Sequence, residues 1–198
     1  MATIGRTRMI AFKVGYLVGS LAKDSINRKL AKALTRLAPE GMTFNEISFG
    51  DLPLYSYDHD AAYPPVANAF TAAIKGSDAL LIVTPEYNRS IPGALKNAID
   101  WGSRPWGTNS FARIPTAVIG TSPGAIGTAV GQQHLRSILG FLNAPQMNAV
   151  EGYIQFTPGL ITDEGEVTVE ETETFLRSYM AEFHAHVTRV LTVMPRED

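Results

Sequence analysis

The run Ala79-Leu80-Leu81-Ile82-Val83, bounded by Asp78 and Pro85, limits the folds open to this chain more than any other segment. Successive side chains of an extended segment point to opposite faces, so five apolar residues in a row require burial on both. That is the situation of a central strand in a parallel sheet, whose faces are covered by the helices that return the chain to the same edge. Apolar runs at residues 9–18, 43–47, 115–121 and near 147–150 read as four further strands.

Helical spacing fills the intervals. Ser25 stands as an N-cap before Leu30, Leu34 and Leu37, and Pro39 and Gly41 end that helix. Residues 65–74 follow with Pro65 in the first turn, then 93–101 closed by Gly102, then about 127–142. A long last helix is expected at about 169–193, with Phe175, Leu176, Tyr179, Phe183, Val187 and Val190 as its buried stripe. This alternation predicts an α/β fold: a flavodoxin-like, doubly wound, five-stranded parallel sheet of order 2-1-3-4-5 with helices on both faces. One domain spanning residues 1–198 is expected, with the ligand crevice at the carboxyl ends of the strands, beside strands 1 and 3.

Composition narrows what such a crevice can do. Cysteine is absent, so thiolate nucleophiles, disulfides, thiolate zinc sites and cysteine-held iron–sulfur clusters are excluded, and redox chemistry needs a bound cofactor. A net charge of −2 without any Lys/Arg block argues against a nucleic-acid partner, and it is too small for the acidic face of an electron shuttle. Residues 1–8 carry two arginines and the apolar run after them is cut by Lys13 and Gly15, which suits neither a membrane helix nor a secretory signal. A cytoplasmic protein with no membrane partner is expected.

Three loops should meet at the crevice. The first, residues 19–27, offers Ser20, Ser25, Ile26 and Asn27 at a helix N-terminus, where free N–H groups and the helix dipole suit a monophosphate; a capping role alone for the serines is the alternative. It has neither the glycine pattern of a dinucleotide fold nor a lysine-bearing P-loop. The second, residues 84–93, is stiffened by Pro85 and Pro92, so its backbone can meet the edge of a flat heterocycle. The third contains Ser122-Pro123-Gly124.

The segment TPEYNRSIPGALKNAIDWGSRP, residues 84–105, resembles the NADPH-dependent FMN reductase family, which includes quinone, azo-dye and chromate reductases. Gly19-Ser20-Leu21 with Ser25 and Asn27, and residues 122–127, are similar to its first and third loops. The resemblance covers the first two-thirds of the chain. It implies FMN as cofactor, NADPH or NADH as co-substrate, and hydride transfer through flavin N5 to a small-molecule electron acceptor, quinones first. Ser20, Ser25, Ile26 and Asn27 would hold the phosphate and ribityl end; Pro85, Glu86, Tyr87 and Asn88 would border the isoalloxazine, with Ser122 and Gly124 at its other side. One departure stands out: many relatives carry an arginine after Gly-Ser-Leu, where this chain has Ala22 and then Lys23, which implies weaker FMN retention.

No side chain is expected as a catalytic acid or base, and no metal site. His184 and His186 face different directions on one helix, His134 reads as structural, and Glu170, Glu171 and Glu173 suit a helix N-terminus. Arg89, at the tip of the second loop, would meet an anionic group on a substrate, a solvated surface arginine being the alternative. Trp101, Arg104, Pro105 and Trp106 suggest the face of a homodimer, with core packing of Trp101 as the alternative; the resemblance implies dimers or tetramers. Two rival readings are a flavodoxin-like one-electron carrier and a flavin-free regulator or scaffold.

Overall fold

The computed structural model describes residues 11–195; the start of the first predicted strand at residues 9–10, and the whole segment read at residues 1–8, lie outside the described residues. Five strands, β1 (Phe12–Val18), β2 (Met42–Glu46), β3 (Ala79–Val83), β4 (Thr116–Ser122) and β5 (Gly152–Gln155), form one parallel sheet in the order β2-β1-β3-β4-β5. The helices between and after them are α1 (Ile26–Leu37), α2 (Pro65–Lys75), α3 (Gly93–Gly102), α4 (Ala129–Phe141) and α5 (Glu170–Val193). This is the flavodoxin-like arrangement expected from the sequence.

Alternation along β3 distributes its side chains between two cores. Leu80 and Ile82 pack with Phe70, Leu95, Trp101 and Leu135 on the side of α2, α3 and α4. Leu81 and Val83 pack with Leu30, Leu34, Tyr179 and Phe183 on the side of α1 and α5. Burying a side chain of this size stabilises by about 1.5–3 kcal/mol, so the fully buried β3 draws on both cores and fixes the sheet centre. On α5, Leu176, Tyr179, Phe183 and Val187 are fully buried as the spacing predicts, while Phe175 only packs against the core from a half-buried position and Met180 joins the buried stripe.

The fifth strand is not where the apolar pattern placed it. Residues 147–150 form no strand; Gln146 makes a single bridge to Thr116 and the Met147 N–H donates to Thr116 O at 2.9 Å. The strand begins at Gly152, which pairs with Ile119, and a Cβ there would stand 2.5 Å from Ile119 Cγ1. A glycine that reads as a strand breaker is what this close approach requires.

Candidate active site

The carboxyl ends of β1, β3 and β4 are pressed together by backbone contact. A Cβ on Gly19 would stand 2.5 Å from Thr84 Oγ1, and one on Gly120 would overlap Thr84 O and Thr128 Oγ1. Larger residues would force the first, second and third loops apart, so these two glycines set the width of the cleft. The cleft measures about 250 Å³. Hollows of about 440 Å³ beside Ser90 and His134 and about 340 Å³ beside Arg104 and Trp106 are larger, yet neither joins the ends of several strands.

From the first loop, Ser20, Ser25, Ile26 and Asn27 line the cleft as predicted. Ser25 caps α1: its Oγ accepts from the Arg28 N–H at 3.4 Å and its carbonyl oxygen from Arg28 and Lys29. The N–H groups of Ile26 and Asn27 have no protein partner among the described residues, leaving two donors at the positive end of α1. Ser20 and Ser25 are almost fully buried, and Ser20 Oγ accepts from the Ala22 N–H at 3.3 Å. Two hydroxyls and two free N–H groups make a donor set that fits a terminal phosphate.

Asn27 contributes its main chain rather than its amide. Its Nδ2 donates to Thr121 O at 2.9 Å and its Oδ1 accepts from Thr121 N at 3.0 Å. The β3–β4 ladder ends at Val83 and Ile119, so Thr121, two residues further on, lacks a strand partner on that side. The Asn27 amide occupies the place of that strand and ties the N-terminus of α1 to the end of β4, where the third loop begins.

The second loop places Pro85, Glu86 and Tyr87 along the cleft, with Asn88 just beyond. The Glu86 side chain is 8% exposed; its Oε2 accepts from the Gly131 N–H at 2.9 Å and its Oε1 lies 3.4 Å from Arg89 Nη1. Thr128, the N-cap of α4, makes no side-chain cap bond, so the carboxylate from the second loop caps α4 instead. Glu86 thereby fixes the loop relative to α4. His134 also belongs to this framework, its Nδ1 lying 3.1 Å from Ser90 Oγ.

From the third loop, Ser122 lines the cleft and donates to Gly127 O at 2.6 Å, while Gly124 lies beyond the lining residues. The sequence reading missed Asp24, Thr121 and Pro123, which also line it. Asp24 brings a carboxylate to the cleft close to the start of α1, which residue spacing alone does not reveal. Trp101 is fully buried against Tyr55, His59 and Tyr63, and its Nε1 donates to Pro53 O at 2.7 Å, which removes it from the expected dimer face. Trp106 remains 74% exposed, with Arg104 5.4 Å from its ring centre. Among the described residues, no three His, Asp or Glu side chains are grouped as a metal site would need, and no helix is long and apolar enough to cross a membrane.

Comparison with known proteins agrees with the fold. A 2-hydroxy-1,4-benzoquinone reductase from Burkholderia sp is 48% identical over 178 residues, covering 90% of this chain and 97% of the relative. A quinone reductase from Pseudomonas putida is 45% identical over 177 residues, covering 89% and 95%. Among solved structures, a flavoenzyme NAD(P)H:(acceptor) oxidoreductase from Paracoccus denitrificans superposes with a TM-score of 0.86 at 43% identity, covering 90% of this chain and 98% of that one. Residues 12–158 match the sequence pattern of the NADPH-dependent FMN reductases, and the chain belongs to that family.

Proposed function

We propose that the protein is an FMN-dependent NAD(P)H oxidoreductase that reduces quinones and other small acceptors, built as one domain. The observation that carries this reading is the pair of free N–H groups on Ile26 and Asn27 beside the buried hydroxyls of Ser20 and Ser25. When bound, FMN supplies the two-electron relay between nicotinamide and acceptor. Ser20, Ser25 and the α1 N-terminus hold the phosphate, Pro85, Glu86, Tyr87 and Asn88 border the ring, and Ser122 with Gly124 closes the opposite side. Overall, NAD(P)H and one proton convert a quinone to its hydroquinone and leave NAD(P)+. The first, second and third loops are short and form no lid of their own, so nucleotide and acceptor use one open face in turn, giving ping-pong kinetics. The test is stopped-flow mixing of FMN-reconstituted protein with NADPH and NADH, followed by a panel of acceptors. Rapid flavin bleaching and quinone turnover are expected; a one-electron carrier would hardly react with either nucleotide.

Ala22 is exposed and Lys23 has no ion-pair partner among the described residues, so the phosphate end lacks a fixed guanidinium. Ala22→Arg is expected to tighten FMN by at least about threefold in calorimetric titration of the apoprotein. The exposed Trp106 and Phe141 beside one hollow support a homodimer or homotetramer. Dependence on NAD(P)H, a reductant of the cell interior, supports a cytoplasmic location.

A further inference from the structure

Tyr87 and Ser90 exchange backbone hydrogen bonds of 2.9 and 3.0 Å and close a two-residue turn over Asn88 and Arg89. Both turn residues have positive φ, 52° at Asn88 and 64° at Arg89. Such a turn suits asparagine first and glycine second, because asparagine tolerates the left-handed region and glycine has no Cβ to strain. An arginine in the second place is conformationally costly. The surrounding fold gives no structural return for it: the guanidinium is 68% exposed and makes one loose contact, 3.4 Å, with Glu86.

The charges around the cleft supply a reason to keep it. The two carboxylates lining the cleft, Asp24 and Glu86, have no basic side chain beside them in the lining, and a bound flavin phosphate adds further negative charge. Nearby cations are committed elsewhere: Arg28 to Glu46, and Lys96 to Asp100, each at 2.7 Å. Lys23 stands on the phosphate loop. Arg89 is left as the cation of the ring-side loop; it stands outside the cleft lining and is joined to it through its contact with Glu86, which does line it. One guanidinium, partly balanced by one carboxylate, matches a monoanion better than the pyrophosphate of a nucleotide.

Resting on the quinone-reductase reading above, we propose that Arg89 determines acceptor specificity by binding the ionised oxygen of hydroxyquinones. A hydroxyl conjugated through the ring to a quinone carbonyl is a vinylogous acid and is an anion at neutral pH. The unsubstituted quinone has the same ring and no charge. Reduction of either takes a hydride, two electrons and one proton, from NAD(P)H; the neutral quinone takes one further proton from solvent, and the hydroxyquinone anion takes two, the second restoring its ionised hydroxyl in the triol product.

The test compares FMN-loaded wild type, Arg89→Gly and Arg89→Lys on 2-hydroxy-1,4-benzoquinone and 1,4-benzoquinone. Arg89→Gly is expected to lower the ratio of the two kcat/KM values about tenfold, with partial recovery in Arg89→Lys. Binding of 2-hydroxy-1,4-benzoquinone to the oxidised holoenzyme without nucleotide, read by calorimetry, should weaken by about the same factor. Both effects should shrink as salt is raised from 20 to about 500 mM. The melting temperature of Arg89→Gly should rise by about 2–4 °C as the turn is relieved. An unchanged ratio with unchanged binding would overturn the assignment alone, as would a loss confined to NADPH relative to NADH. A wild type that turned over neither quinone would overturn the reductase reading and this assignment with it.

Discussion

Ser25→Asp is expected to weaken FMN binding by about 100-fold or more while leaving the melting temperature of the apoprotein within about 2 °C of the wild type. Beside its observed role as a cap, Ser25 has a proposed role as a phosphate ligand, and the substitution separates the two. As N-cap of α1 it accepts from the Arg28 N–H, and aspartate does this as well as serine. As the proposed phosphate ligand it would donate a hydroxyl proton, and a carboxylate has none to give. The added negative charge also faces the phosphate across a partly buried site, where two unit charges a few ångströms apart cost about 3–4 kcal/mol. Titration of apoprotein with FMN, alongside thermal melting, checks both halves. Unaltered affinity would show that Ser25 is only a cap.

The largest structural effect is expected from Asn27→Ala, at about 2–4 kcal/mol of stability and a fall in melting temperature of about 5–15 °C. Asn27 is 1% exposed and Thr121 is fully buried. Without the amide, the Thr121 N–H and carbonyl lose partners that neither β3 nor water replaces, and each unpaired buried group costs about 1–3 kcal/mol. FMN affinity should fall as well, because the amide holds the N-terminus of α1 against the third loop. Urea denaturation of apoprotein and holoprotein measures the two losses separately.

Most of the sheet was legible because its signal is local. An uninterrupted run at β3, a serine cap before a leucine stripe at α1, and Pro65 opening α2 each announce themselves within a few residues. The fifth strand was hidden because Gly152-Tyr153-Ile154-Gln155 is short, half exposed and opens on a residue selected for contact with Ile119, 33 positions earlier. Trp101 was misjudged for a similar reason: the rings of Tyr55, His59 and Tyr63 that enclose it come from the segment between β2 and α2, whose approach to α3 leaves no periodic pattern.

The same limit applies at the site. Residue type and loop position were enough to bring the serines and the helix N-terminus to the cleft, since these groups are clustered in sequence. The work of Asn27 and Glu86 was not visible, because Thr121 lies 94 residues from Asn27 and Gly131 lies 45 from Glu86. Both residues use their polar atoms to brace the cleft. Asp24 was passed over because its place in the lining depends on how the first loop meets the second.

The central claim is that a terminal phosphate is held by the start of α1. Calorimetric titration of the apoprotein with FMN and with riboflavin, which share the ring and differ only in that phosphate, tests it directly. FMN should bind at least about 100-fold more tightly, with the difference largely abolished in Ser25→Asp. Affinities within about threefold of each other would contradict the account, since the exposed N–H groups of Ile26 and Asn27 would then contribute nothing to cofactor recognition.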